Sequence, residues 1–284
     1  MEHAVPTVRH AEQLAAAGAT LDEVLEALRR LSLDDFGRVL FGMPAAEFPN
    51  LSRILPAMAP AEVQVNWTGV SGIELLKQST TFIRQLENTC ARYLGRSLQG
   101  QTVLDFGCGY GRLYRLLYYY SNPDRLWGVD AWQRSLDHCT QARLPGNFAL
   151  SAAVPAELPV GDLRFDVAFA FSIFTHLSPD AAQASLAAIR RSMNPGGLFV
   201  ATIRNAEYWP FADSVRSTSH AGYFLEETRA GRFGYVPHGG IEGATYGDAA
   251  VPMSFFDQAG WRVLGYDSSF GDPFQISILL RAEA

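Results

Sequence analysis

The chain has 284 residues, 48% hydrophobic and 18% charged, which is enough to bury a sizeable core and too apolar for a disordered chain. Its formal net charge of −6 would repel a phosphate backbone or an anionic bilayer, so neither nucleic acid nor a membrane surface is the expected partner. Cys90, Cys108 and Cys139 have no CxxC spacing, which argues against a disulfide framework or thiolate zinc site and points to a reducing, cytoplasmic setting.

The N-terminus has no basic stretch followed by an apolar run, and no run of about 18 apolar residues occurs anywhere, so secretion and membrane spanning are not expected. Thr20 and Glu23 form a capping-box pattern, followed by Leu21, Val24, Leu25, Leu28 and Leu31 at helical spacing. A second short helical pattern, Leu33, Phe36, Val39 and Leu40, ends before Pro44. Pro44, Pro49, Pro56 and Pro60 then punctuate what reads as an irregular linker. From Ile73 to Leu94 the apolar positions mark a long helix, with Gly95 in the place of a left-handed cap. Residues 1–97 therefore read as a helical extension that serves as a lid, a dimer interface or both.

Beyond it, short apolar runs at Val103-Leu104, Leu126 to Val129, Phe165 to Phe171 and Leu198 to Ile203 alternate with helix-length segments, including Pro179 to Met193. That alternation predicts a doubly wound α/β domain over 98–284, its parallel sheet covered on both faces. Between Arg204 and Val251 the regularity lapses into a Gly- and aromatic-rich insertion, as lids and binding loops do. Strand patterns return at Trp261 to Tyr266 and Phe274 to Leu280.

The chemistry is carried by Val103-Leu104-Asp105-Phe106-Gly107-Cys108-Gly109-Tyr110-Gly111, a buried strand running into a loop with glycine at every second position, then the helix-like Leu113 to Tyr120. Glycine is needed where a Cβ would hold a ligand away from the backbone at the carboxyl end of the first strand. The spacing is GxGxG with an acid two residues before, not GxGxxG. A dinucleotide would bring its pyrophosphate beside the Asp105 carboxylate, whereas an ammonium group suits that acid, which disfavours a nicotinamide-dependent dehydrogenase. The second strand ends in Asp130, placed to accept from ribose hydroxyls. Trp132, two residues on, either covers an adenine face or packs.

These residues resemble the class I S-adenosylmethionine (SAM)-dependent methyltransferases. The likeness extends to Phe165-Asp166-Val167-Ala168-Phe169-Ala170-Phe171-Ser172, its continuation Ile173 to Leu177, and Asn194-Pro195-Gly196-Gly197-Leu198. It implies a mostly parallel seven-stranded sheet with an antiparallel last strand, an insertion after the fifth strand, and SAM as cofactor. By that resemblance Asp105, Gly107, Cys108 and Gly109 hold the methionine end, and Asp130 the ribose beside Ala131 and Trp132. Ala153 and Val154 approach adenine, and Phe171 joins the cofactor site. The aspartate that many members carry after the third strand is absent from Ser151 to Glu157, leaving backbone amides or Glu157 to read adenine. The lead-in Gln64 to Gly69, with Trp67, resembles a segment that closes over the methionine end.

SAM carries an already activated methyl group, so the protein has mainly to align the reactants and exclude water, and an alcohol or phenol acceptor also needs a base. His176, after the fourth strand, is the leading candidate, with helix capping or an orienting role as the other reading. His220 and His238 lie in the insertion, where Tyr208, Trp209, Tyr223, Tyr235 and Tyr246 suggest an aromatic acceptor pocket. His238 with Glu242 lacks a third ligand, so no metal site is expected. The expectation is methyl transfer to a small molecule, to oxygen in a secondary metabolite or sugar before nitrogen; a SAM-binding protein that does not methylate is the reading from another class.

Overall fold

The computed structural model describes residues 2–238, 245–268 and 271–284. Six helices precede the sheet: α1 (Val5–Ala16), α2 (Leu21–Leu28), α3 (Leu33–Phe41), α4 (Leu51–Ile54), α5 (Ala61–Thr68) and α6 (Gly72–Leu94). The capping box at α2 forms as read: Thr20 Oγ1 accepts from the Glu23 amide, and the Glu23 carboxylate accepts from the Thr20 amide. Gly95 closes α6 at φ 66°.

The stretch read as an irregular linker contains α4 and is followed directly by α5, and α1 has no counterpart in the sequence reading. The physical reason is the placement of proline. Pro60 occupies the N-cap of α5 and Pro6 lies in the first turn of α1, where the ring costs no hydrogen bond and starts a helix. Val8, Ala11, Val24, Leu28, Phe36 and Leu40 share one continuous core with Val103, Leu116, Leu117, Val167 and Phe169 of the sheet domain.

The central sheet has seven strands: β1 (Val103–Phe106), β2 (Leu126–Asp130), β3 (Asn147–Leu150), β4 (Phe165–Ala170), β5 (Met193–Arg204), β8 (Trp261–Asp267) and β9 (Gln275–Ala282). A hairpin of β6 (Gly234–Pro237) and β7 (Gly247–Ala250) stands apart from it. The order is β3-β2-β1-β4-β5-β9-β8, parallel from β3 to β5, with β9 antiparallel to both neighbours, as the resemblance implied. Strand β1 is buried along its whole length, which is why its sequence is apolar without alternation. The order reverses at β1 and β4, so the carboxyl ends of β1, β2 and β4 diverge around a crevice, the usual place for a ligand in such sheets.

Helices α7 (Gln133–Gln141) and α8 (Pro179–Arg191) cover the sheet, α8 starting at Pro179 with Ser178 Oγ accepting from the Ala181 amide. The segment Leu113 to Tyr120 is a tight 3-10 turn over Tyr114–Tyr119 and not an α-helix. The insertion has more order than its composition suggests. It carries α9 (Tyr208–Arg216), α10 (Ala221–Arg229) and the β6–β7 hairpin, around a small core in which Trp209 stacks on Phe224 with centroids 3.9 Å apart. Among the described residues no helix is long and apolar enough to cross a membrane.

Candidate active site

The site begins with the loop after β1. Gly107, Gly109 and Gly111 have φ of 78°, 55° and 74°, a region that favours glycine. The amides of Gly107 and Cys108 both donate to the Val129 carbonyl, at 2.7 and 3.2 Å, tying the loop to β2. A Cβ on Gly107 would fall 2.1 Å from Ile173 Cδ1, so the loop and the segment after β4 touch with no room for a side chain. Behind the loop, buried Arg115 donates to the carbonyls of Gly111 and Ala57 at 3.1 and 3.0 Å, fixing it to the N-terminal region.

Asp105 is 3% exposed and lines the cavity above the loop, and its Oδ2 has no hydrogen-bond partner. Burial pushes its carboxyl up to about 8 despite the neighbouring Arg112 guanidinium, which acts in the opposite direction. A buried, unpaired acid at the end of the first strand is a receptor for a cation, and it fits the ammonium of SAM. Arg112 itself is held by Gln78 Oε1 and Ser79 Oγ of α6, at 2.9 and 3.1 Å, and lies over the Phe171 ring.

Asp130 ends β2. Its Oδ2 accepts from the Gly109 amide and its Oδ1 from the Trp132 amide, both at 2.8 Å. Each carboxylate oxygen keeps further acceptor capacity, enough for two hydroxyls of a ribose.

A single cavity of about 1170 Å³ collects these groups. It is lined by Trp67, Gly69, Asp105, Gly107, Cys108, Gly109, Asp130, Ala131, Trp132, Ala153, Phe171, His176 and His238, so the residues singled out in the sequence converge. Val154 is the exception, at 45% exposure and outside the lining. Glu157 is exposed and also outside it, whereas Ser151, Ala152 and Ala153 line it. Trp67, in the last turn of α5, comes within 3.6 Å of where a Gly109 Cβ would stand.

At the other end of the cavity, His176 stacks on Tyr246 with centroids 4.9 Å apart, and its Nδ1 donates to the Gly247 carbonyl at 2.8 Å. That bond leaves the lone pair on Nε2. Burial, helped by the Arg204 charge, lowers the imidazole to about 4, so His176 is neutral at physiological pH. His238 is 3.3 Å from Asp248, whose carboxylate is held by Arg216 at 2.7 Å. Glu242 lies outside the described residues, and among those described no metal-binding cluster of His, Cys, Asp and Glu occurs.

The aromatic pocket is only partly as expected. Tyr208 and Tyr246 line the cavity, but Trp209 is buried in the core of the insertion, Tyr223 is exposed, and Tyr235 is outside the lining. His220 caps α10 away from the cavity. Residues the sequence reading missed are Arg112, Arg204, Arg216 and Gln78. Arg204 had a usable signal, since it ends β5 and the carboxyl ends of parallel strands carry sites of this kind. Gln78 and Arg216 had none, because they sit on helices whose docking is a tertiary matter.

The doubly wound sheet, its reversal at β1, and a glycine loop with a buried acid beside a second acid at the tip of β2 define a class I, Rossmann-like cofactor domain. Residues 103–197 match the sequence model of the methyltransferase domain family. The chain thus contains a methyltransferase domain on the class I fold, which acts with SAM as its cofactor. Among solved structures, the plantazolicin methyltransferase BpumL shares the fold, with 10% identity over 93% of this chain and 100% of that one and a TM-score of 0.53. A SAM-dependent methyltransferase from Clostridium acetobutylicum is similar at 13% identity over 73% of this chain and 92% of that one, TM-score 0.48.

Proposed function

We propose that this enzyme methylates a hydroxyl oxygen of a small molecule, with His176 as general base. The carrying observation is the hydrogen bond from His176 Nδ1 to the Gly247 carbonyl, which fixes the tautomer with its Nε2 lone pair available on a wall of the cavity, while burial and the Arg204 charge keep the ring neutral. SAM supplies a methyl group on a positively charged sulfur. As the acceptor hydroxyl is methylated, His176 Nε2 would take the proton that it gives up. A neutral base suits this step, because no cation has to be placed beside the sulfonium.

Asp105 holds the cofactor ammonium, with Gly107 and Gly109 admitting the methionine end to the backbone. Asp130 receives the ribose hydroxyls, and the Ser151 to Ala153 backbone meets adenine. Trp67 and Gly69, at the end of α5, close over the methionine side, which makes residues 1–97 in part a lid. The insertion at 204–251 forms the acceptor side through Tyr208, Arg216 and Tyr246. The net charge of −6 favours a small acceptor over a nucleic acid.

The test is label transfer from methyl-labelled SAM to a panel of phenols, sugar alcohols and amines, run in parallel with wild type and His176→Ala. An O-methylated product whose formation collapses in the variant is expected. Label found only on nitrogen would refute oxygen transfer, and equal turnover by the variant would remove His176 as base.

A further inference from the structure

We infer that the acceptor carries a carboxylate on an apolar body, and that Arg204 is the residue that binds it; this deepens the methyltransferase reading and rests on it. Arg204 is the last residue of β5 and lines the cavity on the side of His176. Its guanidinium lies over the ring of Tyr208, 4.0 Å from the centroid. Among the described residues its side chain has no hydrogen bond and no carboxylate within 4.0 Å, the charges of Asp272 and Asp248 reaching it only from farther off, and its Nε is enclosed with no partner.

The other cations of the cavity are satisfied within the protein. Arg216 is taken by Asp248 at 2.7 Å and the Tyr208 hydroxyl at 2.8 Å, Arg112 by Gln78 and Ser79, and Lys77 by Glu74 at 2.9 Å. Arg204 therefore brings a planar fork of unmet donors, placed over an aromatic ring, to the acceptor end. A guanidinium keeps its charge even when half-buried, and leaving it without an anion costs far more than leaving a neutral amide so. Its fork matches the two oxygens of a carboxylate.

The cofactor's own carboxylate is a poorer match. It is attached to the same carbon as the ammonium assigned to Asp105, and β4 lies between β1 and β5, placing the two strand ends about 10 Å apart at ordinary strand spacing. Along α9, which brings Tyr208 under Arg204, the cavity wall has apolar, open positions: Phe211 is 45% and Val215 66% exposed although both line the cavity. Apolar side chains left uncovered beside one unpaired cation describe an amphipathic acid, with the carboxylate on Arg204, the body against Phe211 and Val215, and the hydroxyl toward His176.

The test is calorimetric titration of the protein loaded with S-adenosylhomocysteine, using matched pairs: 4-hydroxybenzoate against 4-hydroxybenzamide, and 4-hydroxycinnamate against its amide, with phenyl phosphate as a third arm. At least one acid should bind wild type ten-fold or more tighter than its amide. Arg204→Gln should erase that preference while S-adenosylhomocysteine affinity changes less than two-fold, and Arg204→Lys, retaining charge without the fork, should keep part of it. Equal binding of acids and amides, a preference that survives in Arg204→Gln, or tighter binding of phenyl phosphate than of either acid would overturn the assignment. Cofactor affinity falling in step with Arg204→Gln would move Arg204 to the methionine carboxylate and also overturn it. Failure of wild type to bind S-adenosylhomocysteine at all would instead sink the cofactor reading beneath it.

Discussion

The Gly109 amide donates to Oδ2 of Asp130 at 2.8 Å, so the acid at the tip of β2 is also the clasp of the glycine loop after β1. One carboxylate both shapes the loop and keeps acceptor sites free, which under the proposed function go to the ribose. Asp130→Ala should therefore weaken S-adenosylhomocysteine binding at least ten-fold and also destabilise the fold by about 1–3 kcal/mol, since two backbone amides lose a charged acceptor. Calorimetry and thermal melting check the two effects separately. Unchanged affinity would remove Asp130 from the cofactor site.

Asp105 gives a pH dependence whose direction follows from its burial. Its folded pKa, about 8, lies above the ordinary carboxylate value, so without cofactor the buried acid stays protonated near neutrality. Its contribution favours the fold below the ordinary value and is lost as pH rises through about 8. A cationic ligand needs the ionised form. Affinity for S-adenosylhomocysteine should rise between pH 6 and 8, with net proton release near pH 7 visible as a dependence of binding heat on buffer ionisation. Asp105→Asn should bind more weakly, and this pH dependence should disappear with the carboxyl.

Gly107→Ala combines two costs at one position. The residue sits at φ 78°, and the added methyl would meet Ile173 Cδ1 at 2.1 Å. The backbone conformation alone costs a substituted residue on the order of 1–3 kcal/mol, and the loop must move to relieve the contact. Cofactor affinity should fall more than melting temperature suggests, because the displaced loop is the seat itself. A variant that binds S-adenosylhomocysteine like wild type would show that close approach there is unnecessary.

For His176 the lowered pKa, about 4, fixes the sign of two effects. Between about pH 6.5 and 4 the unfolded chain protonates this histidine and the folded one does not, so the stability it contributes is present above that window and lost as pH falls through it. The rate limb set by His176 should likewise fall only near pH 4, leaving turnover flat in this respect from pH 6 to 8. His176→Ala should lower kcat by about 10²–10⁴ with little change in S-adenosylhomocysteine affinity. A limb near pH 6.5 that vanishes in the variant would contradict the buried, neutral ring.

Arg115 joins the N-terminal region to the catalytic loop through the carbonyls of Ala57 and Gly111. Arg115→Met keeps much of the volume but abandons both bonds. It should destabilise the protein by about 2–4 kcal/mol and weaken cofactor binding together with stability. Chemical denaturation of the variant with and without S-adenosylhomocysteine separates the two, and a variant as stable as wild type would mean the junction is held by apolar packing alone.

How legible the molecule was depended on the range of the interactions involved. Strand periodicity, the capping box at Thr20 and the left-handed Gly95 are local, and each formed where the residues indicated. Leu113 to Tyr120 has the composition of a helix, yet it tightens into a 3-10 turn whose polar members Arg115, Tyr114 and Tyr118 spend their side chains on distant carbonyls. The aromatic residues of the insertion looked alike in sequence. Only their packing sorted Tyr208 and Tyr246 onto the cavity and Trp209 into a core.

The residues alone determined the buried strand with its glycine loop, the spacing of Asp105 and Asp130, and thereby the class of chemistry, because a glycine loop after a buried strand is a local requirement with few solutions. Tertiary structure decided the rest. It bonded Asp130 to the glycine loop, turned His176 into a neutral ring bonded to Gly247, and left the Arg204 Nε enclosed without a hydrogen-bond partner. Each of these depends on which groups, far apart in the chain, share a low-dielectric space, and burial and charge pairing there are properties of the packed fold.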